Sequence, residues 1–558
     1  MVSPSAPPAA LLADPPLARW PYLSVMAAAA VLVALAYIVL ADPVWNDYHL
    51  DLATAKNLAA GRGMTFTPAE PSYSFTSPLT ALLLASGGGL MAVRAVNIAA
   101  LAAAVVLLTA VSAKRGWAGT AALVALAALT LLEPKGVLFA VSGGAGGLML
   151  LGVAGMVTAA ACGAASRRSW VWFAVAGALA MWSRADGWVL MLLVAVAAGL
   201  ADRRLWATVG KGVAAAVVLQ LPWLIAAWVQ YGTVLPLPVV AGWGGHEEGA
   251  GPGTVIAFLT RWPGAALGQS VAVFAPVEAW RGGWPGWTPW YAGLLAVVAA
   301  SGCVRPRLGT FGRIGAMGFV LGVLYLGAVK VLAGQVAPWL YPPVAVCGFV
   351  AVAAALHALT GQLQRMPRPA LATGTLAAAL GICMAALGAM SLAQQGVFHK
   401  EIERGVRQHV AQWISENIPV DSTVFLAQPY GRIAAACPGT VLDWPGSVSP
   451  AMVQMRHKRP VDMMGAIVAI RPDWLVLRNQ DLVKAQVIDD IRANYTLAHA
   501  LDGQPSIQTY DRLPGQPWLR QHMKLFVLQH TPGQGPAPGI SQVPSEAQGP
   551  TDEPKPTP

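Results

Sequence analysis

The chain has 558 residues, of which 56% are hydrophobic and only 11% are charged, and its mean hydropathy is +0.55. Soluble domains carry about 25% charged residues, so this composition excludes an ordinary soluble enzyme and indicates a protein that crosses the membrane several times. The net charge of +10 does not indicate a nucleic-acid partner, because the lysines and arginines cluster in short loops between apolar runs. The five cysteines show no C-x-x-C spacing, which argues against a disulfide framework or a zinc site.

About eleven apolar runs are predicted to cross the membrane as helices. The first run is long enough to span ~30 Å of hydrocarbon. A cleaved signal peptide is the alternative, and both interpretations leave the following loop on the same side of the membrane. The runs cover residues 22–41, 95–113, 118–132, 143–165, 170–183, 187–201, 212–230, 288–304, 314–333, 338–358 and 370–394.

The basic residues between these runs predict the orientation of the chain. Five basic groups should lie in the cytoplasm by the positive-inside rule. One alternation satisfies all five, with the N-terminus inside, the C-terminus outside, and residues 78–92 lying along or dipping into the membrane. Three consecutive glycines in that stretch agree, because glycine disfavours a helix interior. The groups are Lys114 with Arg115, Arg167 with Arg168, Arg203 with Arg204, Arg305 with Arg307 and Arg313, and Arg365 with Arg368.

The chain divides into four segments: a cytoplasmic N-terminal segment, a helical membrane domain with two outer loops, a small α/β domain outside the membrane, and a disordered tail rich in proline and glycine. No G-x-x-x-x-G-K-[ST] loop occurs and no convincing G-x-G-x-x-G pattern, so an ATP-driven pump and a dinucleotide enzyme have no support. The segments are residues 1–21, 22–396 with loops 42–94 and 231–287, 397–530, and 531–558.

Alternating patterns in the third segment predict its elements. Short buried strands are expected at STVFLA, TVLDW and DWLVLR. Helices are expected at FHKEIERGVRQHVAQWISEN, which is amphipathic, and at QDLVKAQVIDDIRANY.

The first outer loop places an acidic residue just after the first membrane helix. Asp47 lies among Trp45, Tyr48 and His49, where the chain leaves the membrane. A carboxylate at this interface suits a general base, which must be ionised yet partly shielded, and such assistance typically contributes ~10²- to 10⁴-fold in rate. The alternative is that Asp47 and Asp51 are ordinary helix-start residues. Position alone does not decide between the two.

A series of short motifs accompanies Asp47 along the chain, each of them weak alone. In order they are Asn46-Asp47, Ala55 to Gly63 (A-x-N-L-A-x-G-x-G), Thr76-Ser-Pro-Leu79, Arg94 with Asn97, Ser142-Gly143, Arg184 to Gly187, Tyr231-Gly232 with Leu235-Pro236, and the C-terminal sequences VLDWPGSVSP and PDWLVL. Together they resemble the GT-C superfamily of integral-membrane glycosyltransferases that use polyprenyl-phosphate sugars. The resemblance is to the branch of protein O-mannosyltransferases and bacterial arabinosyl- and aminoarabinosyltransferases, and it spans roughly residues 25–480.

This resemblance implies a polytopic helical fold with about eleven spans and interfacial helices, and Asp47 as the base that activates an acceptor hydroxyl. One carboxylate suits the chemistry. Glycosidases need a second because an alcohol leaving group must be protonated, whereas a lipid phosphate leaves as a stable anion. The chain departs from the branch at two places: Asn46 stands where a second acid is usual, and Ser142 to Gly146 lacks the usual glutamate. These departures bear on metal binding and on the substrate.

Cations are expected to hold the donor phosphate. Lys56, Arg94, Arg184 and Lys330 lie in the first loop or near the predicted outer ends of spans. Lys330 is the sharpest candidate, because an ionisable group inside an apolar run is costly, and snorkelling to the interface is its alternative. Arg94 and Arg184 are alternatively interfacial anchors, and Arg184 is alternatively the partner of Asp186.

Three more residues are candidates for substrate contact. His49 and Asp51 follow Asp47 in the first loop. Glu248 lies in the glycine-rich second loop, and three roles are open for it. It is expected to close over the sugar, to help hold a divalent cation such as Mg²⁺ or Ca²⁺, or to be a solvated loop residue. No protein metal-ligand set and no certain cofactor are predicted.

The sequence therefore predicts an inverting glycosyltransferase on the outer face of a bacterial inner membrane. Its expected partners are a polyprenyl-phosphate sugar donor, a cell-envelope glycan, lipid or protein acceptor, and membrane lipids. A membrane transporter or lipid-carrier flippase is one alternative, and a non-catalytic relative that binds glycan or lipid is another. Transporters usually show paired halves, whereas here the polar residues concentrate on one face and in one appended domain, which favours surface chemistry.

Overall fold

Long apolar helices form most of the structure, a computed structural model. It describes residues 20–67, 71–114, 126, 129–163, 166, 168–243, 252–276, 284–305, 308–334, 336–363, 369–428, 430–444, 446–458, 461–502 and 524–532. Helices α1 to α8 are Trp20–Leu40, Asn46–Ala59, Pro78–Ala85, Leu90–Ser112, Pro134–Val141, Gly146–Cys162, Ser169–Ser183 and Gly187–Ala201. Helices α9 to α15 are Trp206–Tyr231, Leu237–Trp243, Pro252–Phe274, Thr288–Ser301, Gly309–Ala333, Tyr341–Leu363 and Pro369–Val397.

The helices agree with the predicted membrane spans. Within the described ranges, six helices are long and apolar enough to cross a membrane, and four shorter ones are apolar as well. These coincide with ten of the predicted spans, and the other, residues 118–132, lies mostly outside the described residues. The protein is thus a polytopic helical membrane protein. The six long segments are Pro21–Leu40, Leu90–Ser112, Arg203–Tyr231, Gly309–Ala333, Pro338–Leu359 and Thr375–Asn417.

Burial separates the centre of the bundle from its edge. In the most apolar stretch of Pro338–Leu359, 83% of the residues are buried inside the protein, against 17% for Pro21–Leu40. Helix α14 therefore lies at the centre of the bundle, and α1 presents most of its surface to lipid. Both helices are apolar on all sides, as expected where the surrounding solvent is hydrocarbon.

The predicted outer loop 231–287 contains a helix that was not predicted, α11, over residues 252–274. This helix packs along α13, where the Trp262 indole donates to the carbonyl of Leu324 (2.9 Å) and the Phe274 ring lies 5.3 Å from that of Phe319. Arg261 and Pro263 interrupt the apolar pattern of α11, so periodicity gave no helix signal.

Two short helices, α2 and α3, follow the first span without crossing the membrane. Helix α3 has eight residues, about 12 Å, too few to cross the hydrocarbon. Ser77 caps it by accepting from Thr80 N (3.1 Å), and Pro78 occupies its first turn. The chain then turns at Gly87, which has a φ of +93°, before α4 begins. The prediction that residues 78–92 do not cross the membrane agrees with this arrangement.

The motif Ala55 to Gly63 ends α2 and turns the chain back. Gly61 and Gly63 have positive φ values of +73° and +86°, a region that glycine occupies without steric cost. The Asn57 amide donates to the carbonyls of Thr65 (2.9 Å) and Phe66 (2.8 Å). These hydrogen bonds hold the segment after the turn against α2.

The C-terminal segment forms a small α/β domain, as predicted. Its sheet has the order β2-β1-β3-β5-β4. Strands β1, β2 and β3 are parallel, and β5 runs antiparallel to both of its neighbours, β3 and β4. Strands β1 to β5 are Thr423–Leu426, Thr440–Asp443, Trp474–Arg478, Tyr495–Asp502 and Lys524–His530. Helices α16 to α21 are Gln408–Asn417, Gly431–Ala436, Pro450–Lys458, Met463–Ile470, Asn479–Gln486 and Asp489–Asn494.

Strands β1, β2 and β3 were predicted from sequence, whereas β4 and β5 were not. The buried residues of β1 alternate: Val424 and Leu426 pack with the core on the α16 and α17 side, and Phe425 packs with the core on the other side. The sheet is therefore covered on both faces. Helix α15 continues through a π-helical stretch, Phe398–Arg407, into α16, so the last span enters the α/β domain without a linker.

Close packing of α6 against α4 depends on a glycine and an asparagine. Asn97 Oδ1 accepts from the backbone N–H of Gly147 (2.8 Å) and Leu148 (3.3 Å), which satisfies free donors at the start of α6. A Cβ atom at Gly147 would lie 2.0 Å from the carbonyl oxygen of Asn97. Only glycine permits this approach.

The first prediction concerns this contact. Gly147→Ala should lower the unfolding free energy by about 1–3 kcal/mol, because a backbone atom must move to admit the new methyl group. Gly210→Ala is the matched control, since Gly210 is an exposed glycine in α9 with no atom within 4 Å of an added Cβ. Thermal unfolding of the detergent-purified proteins measures both, and equal melting temperatures for the two variants would contradict the close approach.

Candidate active site on the helix after the first span

Two carboxylates lie on one face of α2, four residues apart. Asp47 is in its first turn, where the helix dipole favours negative charge, and Asp51 follows one turn later. Thr76 contacts both: its hydroxyl donates to Asp47 Oδ2 (3.4 Å) and its backbone N–H donates to Asp51 Oδ1 (3.2 Å). The Asp47 side chain is 15% exposed and Asp51 is fully buried. Asp47 is therefore the acid that a substrate can reach.

Arg184 brings a positive charge to Asp47 from the link between α7 and α8. Its Nη1 donates to Asp47 Oδ2 (3.3 Å), and its Nε donates to Asp186 Oδ1 (3.0 Å). The guanidinium lies over the Trp339 ring at 5.0 Å and near the Phe139 ring at 5.8 Å. Arg184 thus contacts the predicted base and also pairs with Asp186, the alternative that the sequence left open.

The two carboxylates of α2 differ in their electrostatic environment. Burial, and next the negative charge of Asp47, raise the pKa of Asp51 well above its ordinary value. The second oxygen of Asp51 is buried and has no hydrogen-bond partner. Two carboxylates so close do not both ionise readily, and the raised pKa favours the neutral form of Asp51.

Arg94 does not contact the predicted site. Its Nε donates to the carbonyl of Val141 (2.9 Å), Nη1 donates to Asp42 (2.6 Å), and Nη2 donates to the carbonyl of Pro43 (2.7 Å). All three nitrogens are engaged within the chain and only 2% of the residue is exposed, so a contact of Arg94 with the donor phosphate stays a prediction. Arg94 instead fastens the chain between α1 and α2 to α4.

The two predicted lysines are exposed, and no hydrogen bond or ion pair joins either of them to Asp47 within the described residues. Lys56 is exposed on α2, nine residues or about 14 Å along the helix axis from Asp47. Lys330 is also exposed and donates to the carbonyl of Gly334 (2.6 Å) at the end of α13. The snorkelling alternative fits this position, and the predicted contact of Lys330 with the donor phosphate stays a prediction. Glu248 lies outside the described residues.

His49 faces the α/β domain. Burial, followed by the positive charges of Arg432, Arg407 and Lys56, lowers the pKa of His49 to about 3. Its Nε2 atom is buried without a hydrogen-bond partner. His49 therefore lies at the junction with the α/β domain. Its contact with the substrate stays a prediction.

Three residues of the site were not singled out in the sequence. Thr76 stands in the Thr-Ser-Pro-Leu turn, which was recognised as a motif but not as a contact of Asp47. Phe139 and Trp339 come from segments far apart in the chain, and no local pattern distinguishes an aromatic residue beside a guanidinium from an ordinary interfacial one.

A divalent cation does not fit the carboxylates of this site. Among the residues with described positions, no three histidine, cysteine, aspartate or glutamate side chains form a group that could hold a metal ion. Arg184 is bound to the carboxylate of Asp47, and Asp51 accepts from Thr76. A hard cation usually takes six or more oxygen ligands, and the positive guanidinium beside Asp47 opposes a second positive charge.

Solved structures of ArnT from Cupriavidus metallidurans are similar to this chain. The form bound to undecaprenyl phosphate has a TM-score of 0.52 at 12% sequence identity, over 93% of this chain and 99% of that one. The apo form has a TM-score of 0.52 at 13% identity, over 92% and 98%. Such identity establishes the fold alone, and the predicted GT-C-type fold is confirmed.

Sequence comparison adds one match. A family described as a domain of unknown function (DUF8728) matches residues 397–522. No curated protein matches the chain.

The second prediction concerns His49. Its folded-state pKa of about 3 lies below the unfolded value of about 6.5, so the unfolded chain binds the extra proton between these values. The stabilisation is complete above pH 6.5 and is lost as the pH falls toward 3. His49→Gln should remove a slope of about 1.4 kcal/mol per pH unit from this window.

Melting temperatures of wild type and variant between pH 4.5 and 8 measure this slope. The raised pKa of Asp51 gives a pH dependence of stability with the opposite sign. Asp51 is present in both proteins, so its contribution cancels in the comparison. His457→Gln, at an exposed position, is the control. Parallel pH curves for wild type and His49→Gln would contradict a buried neutral His49.

Proposed function

We propose that the protein is an inverting glycosyltransferase that moves a sugar from a polyprenyl-phosphate donor to a hydroxyl group of a cell-envelope glycan, lipid or protein. The observation that carries this proposal is the partly exposed Asp47 carboxylate, held by Arg184 and Thr76 at the start of α2. The shared fold with ArnT, which has been solved bound to undecaprenyl phosphate, supports a polyprenyl-phosphate donor.

In this proposal Asp47 is the general base. The acceptor hydroxyl gives its proton to the Asp47 carboxylate while its oxygen forms a bond to the anomeric carbon. The bond between that carbon and the phosphate oxygen breaks, and its electron pair leaves with the polyprenyl phosphate. The phosphate is a stable anion and needs no proton, so one ionised carboxylate suffices. Attack from the face opposite the phosphate inverts the anomeric centre.

Arg184 has two roles in this scheme. Its contact with Asp47 orients the carboxylate and stabilises its negative charge. Nε and Nη1 are used by the two aspartates, and the other terminal nitrogen is the group that we propose to contact the donor phosphate. The Trp339 and Phe139 rings beside the guanidinium restrict its movement, so the donor meets a cation that is already in place. No step requires a metal ion.

Asp51 supports the base without taking part in proton transfer. A neutral Asp51 behind Asp47 keeps a second negative charge away from the leaving phosphate. The site would face the outer side of the bacterial inner membrane, with the α/β domain on the same side, because α2 lies after the predicted first outward crossing.

The third prediction is that Asp47→Asn lowers the rate of sugar transfer at least ~10²-fold while the protein still folds, because the amide cannot accept the proton. Purified full-length protein is given radiolabelled polyprenyl-phosphate sugars and envelope acceptors, and labelled product is counted. Asp489→Asn, 90% exposed in the α/β domain, is the control. Equal transfer by Asp47→Asn and wild type would remove Asp47 from the mechanism, and transport of intact solute across vesicles would favour the carrier alternative.

The fourth prediction concerns Arg184. Arg184→Lys keeps one positive charge but cannot reach Asp47 and Asp186 together with separate nitrogens, since an ammonium lacks the planar fork. The transfer rate should fall about 10-fold or more, and the effect should appear in kcat as well as in KM for the donor, because the cation acts on the leaving group. A variant that changes neither constant would exclude Arg184 from donor binding.

A further inference from the structure

The α/β domain rests directly on α2, at the carboxyl end of its parallel strands. Gly431 follows β1, and a Cβ atom there would lie 2.4 Å from the carbonyl oxygen of Asn46. Leu50 of α2 and Phe66 of the following loop join the core beneath the sheet, with Val424 and Leu426 of β1. One face of α2 thus carries the Asp47 site, and another closes against the α/β domain.

The order of the strands predicts a crevice at this contact. In the sheet, β1 lies between β2 and β3. The chain connects β1 to β2 in one direction across the sheet, and it connects β3 to β4 in the opposite direction. The carboxyl ends of two parallel strands whose connections diverge are where open α/β sheets bind ligands. Tyr430 follows β1 at this crevice, and the ion pair of Arg478 with Asp481 (2.7 Å) follows β3.

Three buried hydrogen-bond donors at this contact make no hydrogen bond. They are the hydroxyl of Tyr430 and the Nε atoms of Arg407 and Arg432; the last lies 3.8 Å from Glu403 Oε2, an acceptor that also makes no hydrogen bond. Tyr430 is 1% exposed and Arg407 is 5% exposed, and the Arg407 guanidinium lies 5.0 Å from the centre of the Tyr430 ring. An unpaired buried donor costs about 1–3 kcal/mol, so the Tyr430 hydroxyl and Arg407 Nε, side by side, indicate a place for an acceptor from outside the chain.

Positive charge is in excess at this junction. Arg407 and Arg432 share the carboxylate of Glu403. Arg94 and Arg404 share that of Asp42. Four guanidinium groups therefore meet two carboxylates, whereas Arg478 and Asp481 balance each other. The junction therefore has more positive than negative charge.

We infer that the crevice between the carboxyl ends of β1 and β3, closed by α2, binds an anionic group, a phosphate or a carboxylate. Tyr430, Arg407 and Arg432 supply the donors, and Arg432, whose side chain is 23% exposed, marks the entrance. Under the proposed function this group is the lipid phosphate of the donor or an acidic group of the acceptor. That identification rests on the proposed function, whereas the binding itself does not.

The test is anion binding to the full-length protein in neutral-lipid nanodiscs. The probes are inorganic phosphate, glucuronate and undecaprenyl phosphate, each titrated while the melting temperature is recorded. At least one probe should raise the melting temperature saturably. Undecaprenyl phosphate acting alone identifies a lipid phosphate, and inorganic phosphate or glucuronate acting as well identifies a soluble anionic group.

Arg432→Gln should weaken the binding of the active probe at least 10-fold, since it removes a charged donor at the entrance. Arg471→Gln is the matched control: Arg471 is an arginine of the same domain, 59% exposed and paired with Asp490. No saturable effect of any probe on the wild type would overturn the inference, because water alone would then satisfy the donors. Equal binding by Arg432→Gln and Arg471→Gln would overturn it too.

Tyr430→Phe separates a ligand contact from a structural one. The hydroxyl has no partner within the chain, so its removal should leave the melting temperature without probe unchanged or higher. Binding of the active probe should weaken several-fold. A lower melting temperature together with unchanged binding would show a structural hydroxyl and contradict the inference.

The Asp47→Asn variant distinguishes failure of this inference from failure of the proposed function. Asp47 contacts Arg184 and Thr76 and has no contact with Tyr430, Arg407 or Arg432. Anion binding should therefore persist in Asp47→Asn while sugar transfer is lost. Loss of probe binding in this variant would contradict a separate anion site, and retained transfer would contradict only the proposed base.

Discussion

The ion pair of Arg94 with Asp42 determines where α2 begins, and the rest of the site depends on that helix. Arg94 reaches from α4 to Asp42, to the carbonyl of Pro43 and to that of Val141, so the chain leaving the first span is fixed on two sides. Asp42 also binds Arg404 at the entry to the α/β domain. Only the Arg94 side of this ion pair is buried, and the pair joins three segments that are distant in sequence.

Because α2 is fixed in this way, its faces can serve different purposes. Asp47 and Asp51 meet Thr76 and Arg184, whereas His49 and Leu50 meet the α/β domain. The helix period places residues four apart on one face and their neighbours on others. Fourteen residues thus form a wall common to the membrane domain and the α/β domain, and a displacement of α2 would change both contacts together.

The sequence predicted the elements whose signal is local and missed those that depend on the fold. Apolar runs located ten helices and three strands, and Asp47 with Arg184 was found through ordered motifs. Arg94 belonged to the same motifs, but a motif cannot separate an arginine that fastens backbone carbonyls from one that binds a ligand. Helix α11 was missed because Arg261 and Pro263 break its apolar pattern. The exposure of Lys330 could not be predicted, because hydropathy does not show which side of a helix reaches the interface.

Charge differs in sign across α2. On the Asp47 side, one guanidinium, that of Arg184, lies between two carboxylates, whereas at the junction four guanidinium groups share two. In a partly desolvated environment such imbalances act strongly over short distances. A substrate with a hydroxyl and a separate anionic group would place the anion toward Arg407 and Arg432 and leave the hydroxyl free to approach Asp47. The contrast would orient such a substrate before any specific contact with its sugar forms.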